Sequence, residues 1–193
     1  MFIVEPVENK EPVKPGMPIY RGFSKETYKR YLAEGIAPES PASINKNSPS
    51  EIISFLFRER APQKHIRGLE QGRFISFSVQ KRVSDFYATA EYRKSGYIAI
   101  ARFPDDCEGI TISQSKRPYM YICSDNTVWI DLRVLRSLDL ENVAAHSRTV
   151  VDHELLLMQG TIRPEKIISV KPDDCDRTFS PWAKWGEKIL PRL

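Results

Sequence analysis

Asp152 and Glu154 lie two residues apart inside the apolar run Val150-Val151-Asp152-His153-Glu154-Leu155-Leu156-Leu157-Met158-Gln159-Gly160. The run has the length and residue types of a strand, with too few apolar positions at helical spacing for a helix stripe. Alternation along a strand puts Asp152, Glu154 and Leu156 on one face and His153, Leu155 and Leu157 on the other. Burying two carboxylates on one face is costly unless they are paired, hydrogen-bonded or put to use, so this strand is predicted to border a polar cleft. An edge strand with both acids in water would give the same pattern. Ser76 raises a related question. In Gly72-Arg73-Phe74-Ile75-Ser76-Phe77-Ser78 the hydroxyls of Ser76 and Ser78 share a face and Phe77 takes the core side. Capping of a following helix explains Ser78, whereas Ser76 wants a partner that a facing carboxylate would supply. Arg21 ends the short strand Pro18-Ile19-Tyr20-Arg21-Gly22, beside a glycine that lets a ligand approach the backbone.

The elements that must carry these residues are legible in outline. Ser24 is an N-cap for a helix from Lys25 to Glu34, stopped by Gly35, with Tyr28, Tyr31 and Leu32 as its buried stripe. Ser48-Pro49-Ser50-Glu51 forms a capping box for a helix to Arg60, with Ile52, Ile53, Leu56 and Phe57 apolar, and a basic loop from Arg58 to Arg67 follows. A helix after Ser78 runs to Tyr92 through Val83, Phe86, Tyr87 and Ala90. Strands are predicted at Gly96 to Phe103, Gly109 to Ser113, Pro118 to Cys123, Thr127 to Leu132 and Lys166 to Val170, and a short helix at Val134 to Leu138. The loop Asn142 to Thr149 brings His146 and Arg148 to the central strand, and the tail from Asp173 holds Trp182 and Trp185 as packing residues.

Composition sets the class. With 193 residues, 41% of them hydrophobic and 28% charged, the chain can bury one core, giving a single domain over 17–193 after a Pro-rich lead or linker over 1–16. A net charge of +4 without a Lys/Arg block or an Arg-rich aromatic module does not identify a nucleic-acid binder. Cys107, Cys123 and Cys175 are odd in number and widely spaced, which reads as free thiols in a reducing compartment, and three histidines add no plausible metal set. The first residues lack the charged start and apolar run of a signal peptide, and no apolar run approaches the roughly 20 residues of a membrane span, so a soluble protein is expected. Neither a P-loop nor a GxGxxG fingerprint is present.

In chain order, a strand ending Tyr20-Arg21-Gly22, a strand Phe74-Ile75-Ser76-Phe77-Ser78 running into a helix with Phe86-Tyr87-Ala88, and a strand Asp152-His153-Glu154-Leu155-Leu156 followed by Gly160 together resemble the ADP-ribosyltransferase superfamily. The resemblance is to its Arg/Ser/Glu class of cholera-toxin-like and clostridial-toxin-like enzymes and bacterial effector domains, and it covers Pro18 to Val170. It implies an α+β fold of two small, mainly antiparallel sheets with flanking helices around an NAD cleft. It also implies a mono-ADP-ribosyltransferase, a bacterial toxin or effector, that moves ADP-ribose from NAD to a macromolecular acceptor, with a protein side chain preferred over nucleic acid. NAD would be a substrate, no metal would be needed, and a cognate immunity or inhibitor protein would be a further partner. The implied location is the cytoplasm of the producing or target cell, reached in the second case by a secretion system.

Carried over by residue, Arg21 matches the family's arginine, with Tyr20 and Gly22 beside it. Ser76 matches the first serine of the Ser-Thr-Ser motif and Ser78 the last, and Glu154 matches the catalytic glutamate. Phe77 replaces the middle threonine, and Asp152 stands where the family has Glu or Gln, the position tied to acceptor choice. Breaking the ribose–nicotinamide bond gathers positive charge on the sugar, as in glycoside hydrolysis, and Glu154 would hold the ribose and stabilise that charge. Ser76 would orient Glu154, and the planar fork of Arg21 suits phosphate better than a lysine would. An NAD glycohydrolase, an RNA-processing phosphotransferase of related fold and a catalytically silent interaction domain are the alternatives. Asp152→Ala separates acceptor use from bond breaking: it is expected to abolish labelling of a macromolecular target while nicotinamide release continues, and parallel loss of both would remove Asp152 from the acceptor role.

Overall fold

A computed structural model describes residues 11–42, 72–86, 88, 96–111, 117–134 and 153–170, with residues 44, 45, 47, 48, 50, 51, 54, 55 and 59 between the first two blocks. Eight strands are present among them: β1 Pro18–Phe23, β2 Ile75–Ser78, β3 Tyr97–Arg102, β4 Cys107–Ile110, β5 Met120–Cys123, β6 Val128–Asp131, β7 Glu154–Gln159 and β8 Ile168–Val170. They form one sheet in the order β4-β5-β6-β7-β2-β1-β3-β8, antiparallel at every pairing, with helices α1 Lys25–Glu34 and α2 Lys81–Phe86 beside it. The fold is α+β. No helix of the described residues is long and apolar enough to cross a membrane.

Two sheets were expected and one continuous sheet is found, for a reason visible at its centre. β1 and β2 are joined by a single pair, Tyr20 opposite Ser78, whereas β1 and β3 pair over six positions. The weak join lets the wings turn toward each other. β3 and β6 lie four strand spacings apart, which in a flat sheet is about 19 Å. Yet the ring of Phe103, just beyond β3, lies 5.6 Å from that of Trp129 on β6 and 5.3 Å from that of Tyr121 on β5. Ile19, Phe23, Phe77, Phe103, Trp129, Leu155 and Leu157 fill the space between the wings, and Phe55, Phe74, Met120, Ile130, Leu156 and Met158 form a second core on the other face of β7. β7 is therefore buried on both faces, as its apolar run predicts.

α1 keeps its predicted bounds. Ser24 accepts from the Thr27 N–H, and the Gly35 N–H returns to the Tyr31 carbonyl. Gly35 has φ of +80°, and a Cβ there would stand 2.2 Å from the Ile162 carbonyl oxygen, so glycine is needed where α1 meets the chain after β7. Leu32 departs from its predicted place. It is 49% exposed, because the inward face is set by Tyr28, Tyr31 and Gly35 and leaves it at the margin. Glu51 makes half of the predicted capping box: its N–H reaches Ser48 Oγ at 3.4 Å, but its carboxylate takes the Asn45 N–H. Lys166 closes a 3-10 turn that Pro164 opens, so the last strand begins at Ile168. Residues 11–16 of the lead are described, with Val13 buried in the inter-wing core and the Gly16 N–H on the Phe103 carbonyl. The helix face Ile52, Ile53, Leu56 and Phe57, the loop Asn142 to Thr149, the helix beyond Val134 and the tail with Trp182 and Trp185 lie outside the described residues.

The cysteines correct the free-thiol reading. β4 begins at Cys107, two residues before the predicted strand, and this register sets Cys107 opposite Cys123 of β5, where the two form a disulfide. Strand register, invisible in a separation of 16 residues, brings them together, and the inference of a reducing compartment falls with the free thiols. Cys175 lies outside the described residues. A loop of this size predicts that the double variant Cys107→Ser/Cys123→Ser loses about 3 kcal/mol in urea unfolding. Unchanged stability would show that the cross-link contributes nothing.

Candidate functional site

Arg21, Ser76 and Glu154 stand on three strands that are neighbours at the centre of the sheet: β1, β2 and β7. In the β2–β7 register Ser78 faces Glu154 and Ser76 faces Leu156, so both hydroxyls share the face of the carboxylate. Ser78 is engaged elsewhere: its Oγ accepts the Gln80 N–H at 3.0 Å and shapes the turn into α2. Ser76, diagonal to Glu154, makes the hydrogen bond to its carboxylate. Arg21 lies close enough to act on the same carboxylate through its charge. Its guanidinium is held at two points, with Nε donating to Tyr31 Oη and Nη1 donating to the Ser76 carbonyl, both at 2.9 Å. That carbonyl is accessible because the β1–β2 ladder consists of Tyr20 and Ser78 alone. The poor join between the wings thus supplies the space in which arginine, serine and glutamate meet.

Glu154 is 6% exposed, and its strand neighbours Leu155, Leu156 and Leu157 are fully buried. Desolvation pushes its carboxyl up from 4.5 to about 7, against the opposing effects of the Ser76 hydrogen bond and the Arg21 charge. Near neutral pH both protonation states are therefore populated, which is the condition for a buried acid that works by gaining or losing charge.

The other predicted site residues are placed less decisively. Tyr20 and Gly22 are half-buried on β1, where they pair with Ile100 and Ile98 of β3. Asp152 lies outside the described residues. Among the described residues no group of three His, Cys, Asp or Glu could hold a metal ion.

Two features lie beyond the local sequence patterns. Helical spacing marks Tyr31 as a core residue, whereas its hydroxyl also holds Arg21. Asp131 and Arg133 form a buried two-pronged ion pair, with Nε to Oδ1 at 2.8 Å and Nη2 to Oδ2 at 2.7 Å. Asp131 also accepts the Arg133 N–H, at the end of β6 opposite Leu155 of β7. A carboxylate closing the apolar strand Val128-Trp129-Ile130-Asp131 was the signal for it.

The raised carboxyl of Glu154 sets the sign of a stability effect. Below about pH 4.5 the folded and unfolded chains both carry the proton and no cost arises; between there and about 7 the unfolded chain ionises first, so stability falls as pH rises. Above that range the full cost of roughly 3 kcal/mol remains. Glu154→Gln is accordingly expected to match the wild type in urea unfolding at about pH 4 and to exceed it by up to about 3 kcal/mol at about pH 8. A difference independent of pH would show that the carboxylate is not strained by burial. No protein-family model matches the chain and no curated protein matches it.

Proposed function

We propose that the chain is a mono-ADP-ribosyltransferase that transfers ADP-ribose from NAD to a macromolecular acceptor, a protein side chain in preference to nucleic acid. The observation that carries this reading is the convergence of Arg21, Ser76 and Glu154, with Glu154 buried and bonded to Ser76, at the junction of the two wings. The resemblance in chain order to the Arg/Ser/Glu transferases supports it independently of the contacts.

The residues suit NAD in a specific way. A guanidinium has five N–H donors, and Arg21 commits two of them to the protein. The remaining three, including both on Nη2, are disposed to take phosphate oxygens in the two-pronged manner that lysine cannot reproduce. Glu154 offers a carboxylate close to that arginine and backed by apolar residues, where an opposing charge is felt more strongly than in water. The chemistry asked of such a site is to stabilise positive charge as the ribose–nicotinamide bond breaks. Glu154 in its ionised form supplies the negative charge, and Ser76 fixes its orientation so that little reorganisation is needed. Desolvation that disfavours the ionised form in the free protein is relieved when a cationic group comes to face it.

A pH dependence follows. Because Glu154 titrates at about 7 and acts ionised, kcat/KM for nicotinamide release from NAD is expected to rise with pH through that value and then level off. Glu154→Gln is expected to lose at least about a hundredfold in that rate while remaining folded. A flat profile together with an active Gln variant would remove Glu154 from the reaction, and nicotinamide release without labelling of any lysate protein would favour an NAD glycohydrolase.

A further inference from the structure

Tyr31 is 2% exposed on the inner face of α1, and a tyrosine buried so deeply needs a partner for its hydroxyl. It accepts from Arg21, whose Nε lies 2.9 Å from Tyr31 Oη, and it also interacts with the Arg30 guanidinium. We infer that Tyr31 is a positioning residue: it fixes the plane of the Arg21 guanidinium so that the remaining donors present a preformed seat for the phosphates of a dinucleotide. This inference rests on the reading of the site as an NAD cleft and assigns a role to a residue outside its Arg/Ser/Glu set.

The geometry makes the hold specific. One hydrogen bond would leave the guanidinium free to swing about its axis. Two bonds from different nitrogens, Nε to Tyr31 and Nη1 to the Ser76 carbonyl, define its plane. The Tyr31 ring is itself secured. It packs on Phe23 with centroids 4.9 Å apart, and the Arg30 Cζ lies 5.7 Å from its centroid, with Arg30 in turn bonded to Glu39 at 2.9 Å. α1 is anchored at both ends, by the Ser24 cap and by the bridge between Ile36 and Ile162. A preorganised arginine avoids the entropy otherwise lost when a long side chain is ordered on binding.

Tyr31→Phe keeps the ring and removes only the hydroxyl, so it isolates this role. NAD affinity by calorimetry is expected to weaken about tenfold, and KM for nicotinamide release to rise by a similar factor with kcat within about twofold. The melting temperature should stay close to that of the wild type. In the Arg21→Ala background Tyr31→Phe should add no further loss of affinity, because the hydroxyl acts through Arg21. In the ligand-free wild type the Arg21 Nε–H, followed by NMR, should exchange more slowly with water than that of an exposed arginine. Fast exchange of that proton, equal NAD affinity of wild type and Tyr31→Phe, or an additive loss in the double variant would each overturn the inference while the NAD reading stands. A wild-type protein that binds no NAD would overturn the reading of the cleft and this inference with it.

Discussion

A carboxylate embedded in an apolar strand is the constraint to which the centre of this molecule is fitted. Glu154 opens β7, whose next four residues are at most 1% exposed and face hydrophobic cores on both sides. Desolvation there is strong enough that neither the Ser76 hydroxyl nor the Arg21 charge restores the ordinary acidity of the group. Removing either partner would leave the carboxyl more nearly a buried orphan, which is among the costlier defects a core can hold. The arrangement is comprehensible if stability is given up at this point for a charge that acts where water is scarce.

The space for that arrangement comes from how the sheet closes. A full ladder between β1 and β2 would have occupied the Ser76 carbonyl and left no place for a guanidinium. Reduced to the pair Tyr20 and Ser78, the join lets the wings curl onto the aromatic cluster of Phe77, Phe103, Tyr121 and Trp129. Packing and site are thus two results of one feature: the curl buries the aromatic rings, and the opening at its base admits Arg21. α1 completes the enclosure from outside the sheet by bringing Tyr31 to the arginine.

Behind β7, the Asp131–Arg133 pair is buried at the end of β6 with its charges matched in the two-pronged geometry that best offsets desolvation. It contrasts with the surface pairs, such as Lys14 with Glu11, where water screens the attraction and little stability is gained. The buried pair bears on the arrangement of the core, because breaking one partner would strand the other in apolar surroundings.

Local patterns in the sequence determined the pieces. Ser24 and Gly35 bound α1 because capping and the left-handed turn are contacts within a few residues. The alternation of Ser76, Phe77 and Ser78 assigned their faces because strand geometry has period two. The unbroken apolar run placed β7 in the interior, and its misplaced carboxylate marked Glu154 as a residue needing an explanation. What tertiary structure decided is everything that depends on pairing between distant segments. Strand order put β2 between β1 and β7, the turn into α2 engaged Ser78 and left Ser76 as the partner of Glu154, and the facing of β4 and β5 joined Cys107 to Cys123. The single sheet in place of two, and the hydroxyl of Tyr31 on Arg21, belong to the same category. Such pairings are settled by which surfaces of the whole chain bury one another best, and the neighbours of a residue in sequence do not record that competition.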